Sequence, residues 1–495
     1  MAYGGERAWT DAALGDKGGV DVVVLESEDE LRAFLEAAGA REGNASTKIV
    51  RGSGRRALMA VWYDAQRPAA SELRVAAGVA QLAADGRPVD LFLQGVRTDA
   101  RAALVVRVAK ECFRLSTVGS LARVTFLGAG SRDRGDAAER LARNIRDAAE
   151  LVNLPSNVVF PSSLARRLAA WAPAARVRVQ VLEGAALRRA GLGLLEGIGR
   201  SGEHGPCALV VAPSGQGKTR ARTMARTRTT TTTRPLVLLV GKGVTYDSGG
   251  LALKPLRSMT DMHSDMTGAA VAAAVARCFE FGAAPGCAFD VALVLPMAEN
   301  LVSARAVRPG DVLVAADGTR VEVNNPDAEG RLLLADAIAY GCARFRPDAV
   351  VDFGTLTGSA AAAHPSLDAA FYAEDDAAAA ALLEPAAGPR LGERAWRMPP
   401  WGAEDDWRVG SSVADCRNSE PGAAADGYLA AVFLRRFVPE ALRARWVHVD
   451  LAQTRSATGD MFTCGGVELG VRLLPRLAAL AAADAKKKKK KTKTH

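Results

Sequence analysis

The chain of 495 residues is short of aromatics, which make up 5% of it. It has no uninterrupted apolar stretch approaching the roughly 18 to 20 residues of a spanning helix, which argues against a membrane protein. Its opening, MAYGGERAWTDAALGDK, puts Glu6, Arg7 and Asp11 where a secretory signal needs an apolar run. The seven cysteines (112, 207, 278, 287, 342, 416 and 464) are odd in number, scattered, and contain no CxxC pair. Neither a disulfide framework nor a zinc ribbon is expected from them, and a reducing, cytoplasmic compartment fits best. The five histidines form no HExxH or HxH pattern, so all five read as structural or surface residues.

A basic folded body is missing as well. The net charge is +9, but the last ten residues, KKKKKKTKTH, hold seven lysines, and without them the charge is +2. The tract 218–234 (KTRARTMARTRTTTTTR) carries six more cations and no acid, leaving −4 for the rest. Those two segments invite a nucleic-acid-binding or scaffold reading, because clustered lysines neutralise phosphates. They lack interleaved aromatics, so base recognition is not expected.

What is present is an ordinary globular composition, 49% hydrophobic and 24% charged, long enough for two or three domains of about 150 residues. Short apolar runs alternate with helix-length segments. In the first 150 residues the strand candidates are 20–25, 57–64, 89–95 and 123–128, each followed by a helix-compatible stretch. Beyond them VRVQVLE, CALVVAP, PLVLLVG, FDVALVLPM, AVVDFG and WVHVDLA read as buried strands. GAAVAAAVARCFEFG and RLLLADAIAYGCARF read as helices.

Residues 212–219, APSGQGKT, follow a strand and approach a phosphate-cradling loop with Lys218 in the reaching position. Such a loop must open a helix whose N-terminus faces the anion. The following residues, RARTMARTRTTTTTRP, offer no apolar stripe, so an NTPase is the weaker reading and a solvated loop the stronger.

The chemistry lies between residues 240 and 360. GKGVTYDSGGLALKP places Lys242, Asp247 and Lys254 around a turn at Gly249 and Gly250; MTDMHSDMTGAA places Asp265 before a helix; VEVNNPDAEGRLLLADA places Asp327, Glu329 and Arg331 between a strand and a helix. Taken alone, Asp265 reads as a helix cap. As a group, four carboxylates in otherwise apolar or glycine-rich sequence must be paired, hydrogen-bonded or metal-bound. With two lysines and an arginine they are enough to hold two divalent cations.

NNPDAEGRLLLADA resembles the signature NTDAEGRL of the leucine aminopeptidase family, cytosolic two-metal exopeptidases, and VGKGVTYDSGG resembles that family's VGKGITFDSGG. GTLTGS (354–359), RAWRMPPW (394–401), VHVDLAQTRSATGD (447–460) and ELVNLPSN are similar to further family segments, so the likeness runs from about 148 to 475. Pro326 stands where the family has threonine; it removes a backbone N–H and pushes Asn325 toward extended geometry, which bears on the path of the loop.

The resemblance implies an α/β protein: a smaller N-terminal α/β domain (1–150) and a larger α/β catalytic domain (151–485) with a central mixed sheet flanked by helices. The basic tract 214–234 would be a loop insertion and 486–495 a disordered tail. It implies a metal-dependent aminopeptidase that removes N-terminal, leucine-like residues from peptides, assembled as a homohexamer. Two divalent ions per subunit (zinc, manganese or cobalt) would be held by Lys242, Asp247, Asp265, Asp327 and Glu329. Lys242 would bind as a neutral amine, with its pKa lowered by the dication. Lys254 would stay charged and meet the substrate carbonyl, and Arg331 would hold a bicarbonate that moves the water proton. Met262 would line the pocket for the first side chain, and Thr355 and Leu356 would offer main-chain contacts to the substrate.

Overall fold

The computed structural model describes five strands within the first 127 residues and most of residues 132–491. Within the latter span 174, 215–233, 285, 359–361, 363–368, 384–392, 400–402, 421–425, 452–461 and 463 lie outside the described residues. The helices expected between the N-terminal strands, the heart of the Arg/Thr tract with residues 215–219 of the APSGQGKT segment, and residues 452–460 of the VHVDLAQTRSATGD segment also lie outside them. The chain divides into two compact units. One is built on Met1–Arg146 with Pro385–Gly392 and Arg455–Thr463; the other comprises Asp147–Glu384, Glu393–Thr454 and Cys464–His495.

The first unit holds β1 (Val20–Leu25), β2 (Thr47–Arg51), β3 (Ala57–Trp62), β4 (Val89–Phe92) and β5 (Val124–Leu127), in the order β2-β3-β1-β4-β5. Four of them are parallel, and β2 joins antiparallel at the edge. β2, TKIVR, is a strand that the apolar-run reading misses, because it is half polar. Helix α1 (Arg132–Val152) follows β5.

The second unit holds β6 (Val177–Glu183), β7 (Cys207–Pro213), β8 (Leu236–Gly241), β9 (Gly243–Asp247), β10 (Asp290–Asn300), β11 (Asp311–Val314), β12 (Arg320–Val323), β13 (Ala349–Gly354), β14 (Ala369–Ala373), β15 (Ala395–Arg397), β16 (Cys416–Arg417) and β17 (Trp446–Leu451). Nine of these form one mixed sheet in the order β15-β14-β17-β13-β8-β10-β7-β6, with β9 pairing β10; β11, β12 and β16 form a small separate sheet. β8 pairs parallel with β10 and β13, β13 parallel with β17 and β14 parallel with β15, while β6 and β7 run antiparallel to their neighbours and β14 antiparallel to β17.

β8, LVLLVG, is buried throughout, as a parallel strand covered on both faces must be. Its alternate residues Leu236, Leu238 and Val240 pack with Leu332, Leu333 and Ile338 of helix α3 (Glu329–Phe345). Helix α2 (Thr267–Cys278), an alanine-rich run, packs against β8 and β13. Helix α4 is Asp426–Arg435.

Helix α5 runs from Val467 to Lys491, so the tail expected to be disordered from 486 is helical through its lysine run. The physical reason is local. The preceding AALAAADA is strongly helix-forming, lysine ranks close behind alanine, and cations are favoured at the negative end of a helix. Among the described residues no helix is long and apolar enough to cross a membrane, and Cys207, Cys287, Cys342 and Cys416 are free thiols.

Candidate metal centre

Three chain segments deliver the acidic residues to one place. β8 ends at Gly241, and the next residue, Lys242, is stitched on both sides: its N–H donates to the Phe353 carbonyl (2.9 Å), and its carbonyl accepts from Ala269 N–H (2.8 Å). β9 ends at Asp247, after which Gly249 and Gly250 take φ values of +84° and +58°, a conformation glycine adopts without strain. That turn brings Lys254 back over Asp247. α2 brings Asp265, just before its start, and the turn ahead of α3 brings Asp327 and Glu329. The ends of β8, β10, β13 and β17 thus surround the site, as ligand sites in α/β sheets do.

Lys242 is buried. Its Nζ donates to Asp265 Oδ1 (2.8 Å) and the Thr355 carbonyl (3.1 Å), and it pairs with Glu329 Oε1 (2.8 Å). Lys254 Nζ pairs with Asp247 Oδ2 (2.8 Å) and with Asp327 Oδ1. Asp247, Asp327 and Glu329 each place a carboxylate oxygen within 4.8 Å of the others. Asp265 does not cap α2; its Oδ1 accepts from Lys242 and from Thr355 Oγ1 (2.7 Å). Gly330, between Glu329 and Arg331, leaves the space that the Lys242 side chain fills: a Cβ there would stand 2.5 Å from Lys242 Cε.

All ten residues singled out from the sequence line one cavity of about 470 Å³: Lys242, Asp247, Lys254, Met262, Asp265, Asp327, Glu329, Arg331, Thr355 and Leu356. Met262, Ala328, Leu356 and Leu451 supply its apolar wall. The Thr355 carbonyl is engaged by Lys242, and the Leu356 N–H by Asp450 Oδ1 (2.9 Å), so these two main-chain groups serve the fold.

Pro326 sits without conflict. Ala328 N–H donates to the Asn325 carbonyl (3.1 Å), which puts Pro326 second in a tight turn, where its fixed φ is favourable and no N–H is required.

The electrostatics argue for cations. Burial pushes the Glu329 carboxyl up to about 8, with Asp247's charge adding and Lys242 opposing. Burial likewise pushes Asp265 up to about 6, against the pull of Lys242, and raises Asp327. Burial opposes the Lys242 ammonium, yet Asp265, Glu329 and Asp247 outweigh it, so its pKa rises. Burial opposes Lys254 too, and Asp247, Glu329 and Asp327 outweigh it. The lowered pKa expected for Lys242 therefore does not come from the protein alone; it requires a dication in contact. Asp265 Oδ2 and Glu329 Oε2 are buried with no hydrogen-bond partner. Burying carboxylate oxygens unpartnered is costly, and a divalent cation satisfies them. Aspartate, glutamate and a neutral lysine amine form a donor set that fits two such ions.

These shifts fix a pH dependence. Asp265 and Glu329 hold their protons more tightly folded than unfolded, so the metal-free fold loses stability as pH rises from the unfolded carboxylate range, about 4, through about 6 and about 8. Melting of chelator-treated protein is expected at a lower temperature at pH 8 than at pH 6, and added divalent metal should close the gap. An equal melting temperature at both values would contradict it.

Three functional neighbours escape the sequence. Asn300 ends β10 and donates from Nδ2 to Asp247 Oδ1 (2.8 Å). Asn418 follows β16, and its carbonyl accepts from Arg331 Nη1 (3.0 Å), while Arg331 Nη2 donates to Asp426 Oδ1 (2.5 Å). Asp450 holds Leu356 and Thr357. An acidic or amide residue at a strand end was the available signal for Asn300 and Asp450; Asn418, 87 positions from its partner, offered none. His448 pairs with Asp352 (2.5 Å), buried away from the cavity lining.

A family model described as the cytosol aminopeptidase family, catalytic domain, matches residues 146–474. The chain is 37% identical over 343 residues to a probable cytosol aminopeptidase of Syntrophotalea carbinolica; the match covers 68% of this chain and 64% of that relative. The chain thus spans a little under two thirds of that relative's length. Among solved structures it is similar to a cytosol aminopeptidase from Coxiella burnetii (TM-score 0.72, 25% identity, covering 94% of this chain and 98% of the other). It is also similar to the bottromycin maturation enzyme BotP in complex with Mn (TM-score 0.73, 28% identity, covering 94% and 100%). The NTPase and nucleic-acid readings find no support in these relatives.

Proposed function

The chain belongs to the cytosol aminopeptidase family, and on that premise we propose that it is a metal-dependent aminopeptidase releasing N-terminal, leucine-like residues from peptides. One observation carries this reading. Four carboxylates and two lysines converge on one cavity, and two of the buried carboxylate oxygens have no partner in the protein.

Asp247 and Glu329 would contact both ions, Asp327 would complete one position, and Lys242 and Asp265 the other. When bound, two divalent cations supply Lewis-acid polarisation of the scissile carbonyl and a water acidic enough to attack at neutral pH. The chain's own groups do the rest. Lys254 keeps its charge and donates from Nζ to the carbonyl oxygen as negative charge develops there. Arg331, oriented by Asn418 and Asp426, would hold a bicarbonate near the attacking side. Met262, Leu356, Leu451 and Ala328 present an apolar wall that suits a leucine-like side chain. Buried walls also exclude water from the acidic cluster, which strengthens every charge interaction inside.

The catalytic part would be residues 151–485, with 1–150 a separate α/β domain. The proposal extends to a homohexamer and to a cytoplasmic setting. Light scattering at micromolar concentration is expected to report six chains; a monomer alone would count against the assembly. The activity itself is tested by hydrolysis of leucine amide and dipeptides after chelation, with zinc, manganese and cobalt added back separately. Activity unaffected by chelation, or absent with every metal, would sink the reading.

A further inference from the structure

The turn 324–328 carries Asp327 and leads directly into Glu329, yet it contains little that would hold it. Its own bonds are two: Asp327 N–H donates to Asn325 Oδ1 (3.0 Å), and Ala328 N–H to the Asn325 carbonyl (3.1 Å). Pro326 has no N–H to contribute. Among the described residues, the side-chain hydrogen bonds that reach its main chain from elsewhere come from two asparagines.

Asn418 is fully buried, and its one amide meets four main-chain groups. Oδ1 accepts from the N–H of Asn324 (3.0 Å) and Asn325 (3.3 Å). Nδ2 donates to the carbonyls of Asn325 (2.8 Å) and Ala328 (3.2 Å). The next residue reinforces it, Ser419 N–H donating to Asn324 Oδ1 (3.0 Å). From another element, Asn300 Nδ2 donates to the Pro326 carbonyl (3.0 Å) and also to Asp247 Oδ1 (2.8 Å). A single amide nitrogen therefore ties the turn to the carboxylate at the end of β9. Gly250 is shaped for this bond: a Cβ there would lie 2.8 Å from Asn300 Oδ1.

The choice of amides has a chemical reason. An amide both donates and accepts, so it satisfies N–H and C=O groups of one turn together. It also adds no charge beside four carboxylates. Aspartate has the same shape but only accepts, and it would face two carbonyl oxygens.

We propose that Asn300 and Asn418 are positioning residues that hold the turn 324–328 so that Asp327 and Glu329 meet Asp247, and that they thereby set the affinity for divalent metal. Partners that orient ligands typically govern affinity by 10- to 100-fold. This rests on the metal-dependent reading above.

The test uses the full chain, stripped of metal and titrated with Mn²⁺ by calorimetry. Asn418→Asp is expected to weaken Mn²⁺ binding roughly 10- to 100-fold, and Asn300→Ser to weaken it in the same direction. Leu182→Ala, a buried change on β6, which carries none of the site residues, serves as the control for lost stability. The proposal stands if the asparagine variants lose affinity while Leu182→Ala, with a similar drop in melting temperature, does not. It falls if both asparagine variants bind like the wild type, or if the control weakens equally. Amide hydrogen exchange of Asp327 and Ala328 in the metal-free protein reads the turn independently. It should accelerate at least tenfold in Asn300→Ser, the milder variant should Asn418→Asp fail to fold, and unchanged exchange would overturn the proposal. If the wild type binds no metal, the functional reading fails, while exchange still decides whether the asparagines hold the turn.

Discussion

Glu329→Ala and Asp247→Ala are each expected to abolish both metal loading and turnover. Asp247 and Glu329 are two of the three carboxylates whose oxygens approach within 4.8 Å, so neither can be removed without opening the shared position. Loss of several kcal/mol of charge stabilisation corresponds to a fall on the order of 10³ or more in kcat/KM. The two changes should differ in their structural cost. Glu329→Ala leaves Lys242 buried with Asp265 still 2.8 Å away, so the ammonium keeps one counter-ion. Asp247→Ala removes an acceptor of both Gly249 N–H and Asn300 Nδ2, which loosens the glycine turn as well. Metal content by elemental analysis and turnover of leucine amide, measured on the same preparations, check this. A variant that keeps two metals per chain and near-normal activity would show the site to be misassigned.

The two lysines are expected to separate cleanly. Lys254 is 15% exposed at its side chain and Lys242 only 3%, which suits a group that meets substrate in the first case and one enclosed among ligands in the second. Lys254→Ala should retain both metals and lose on the order of 10²–10³ in kcat, comparable to removing one oxyanion donor. Lys254→Arg should recover part of this, because the role calls for charge. Lys242→Arg should recover nothing. A guanidinium stays protonated and has no lone pair to give a cation. Lys242→Ala should lose metal, with excess metal restoring only part of the activity. The opposite pattern, metal lost from Lys254→Ala and kept in Lys242→Ala, would reverse the roles.

The motif spacing brought all ten candidate residues to one cavity, because each lies within a few positions of a strand end or helix start and those ends share one edge of the sheet. The buried strands of that sheet were legible from their apolar content: β8 is a continuous apolar run, and β10, β13 and β17 are largely apolar, with Asp352, His448 and Asp450 the polar residues inside β13 and β17. Half-polar elements were mostly not. β2 and the two-residue β16 carry weak periodicity, and their pairing is a tertiary matter; β12, RVEV, alternates and was readable as the strand ahead of the Asp327 turn. Helix α5 overrode the charge of its lysine run because local helix propensity continued through it.

The sequence by itself pointed to an acidic cluster and to ten residues that line one cavity. It also implied a lowered Lys242 pKa, which belongs to the metal-loaded site and not to the protein alone. Only the tertiary structure decided what holds those residues still. Asn300, Asn418 and Asp450 act across 26 to 94 positions of sequence. Hydrogen bonds between such distant groups leave no local pattern, since each partner satisfies a need that appears only once the chain has folded and water has left the site.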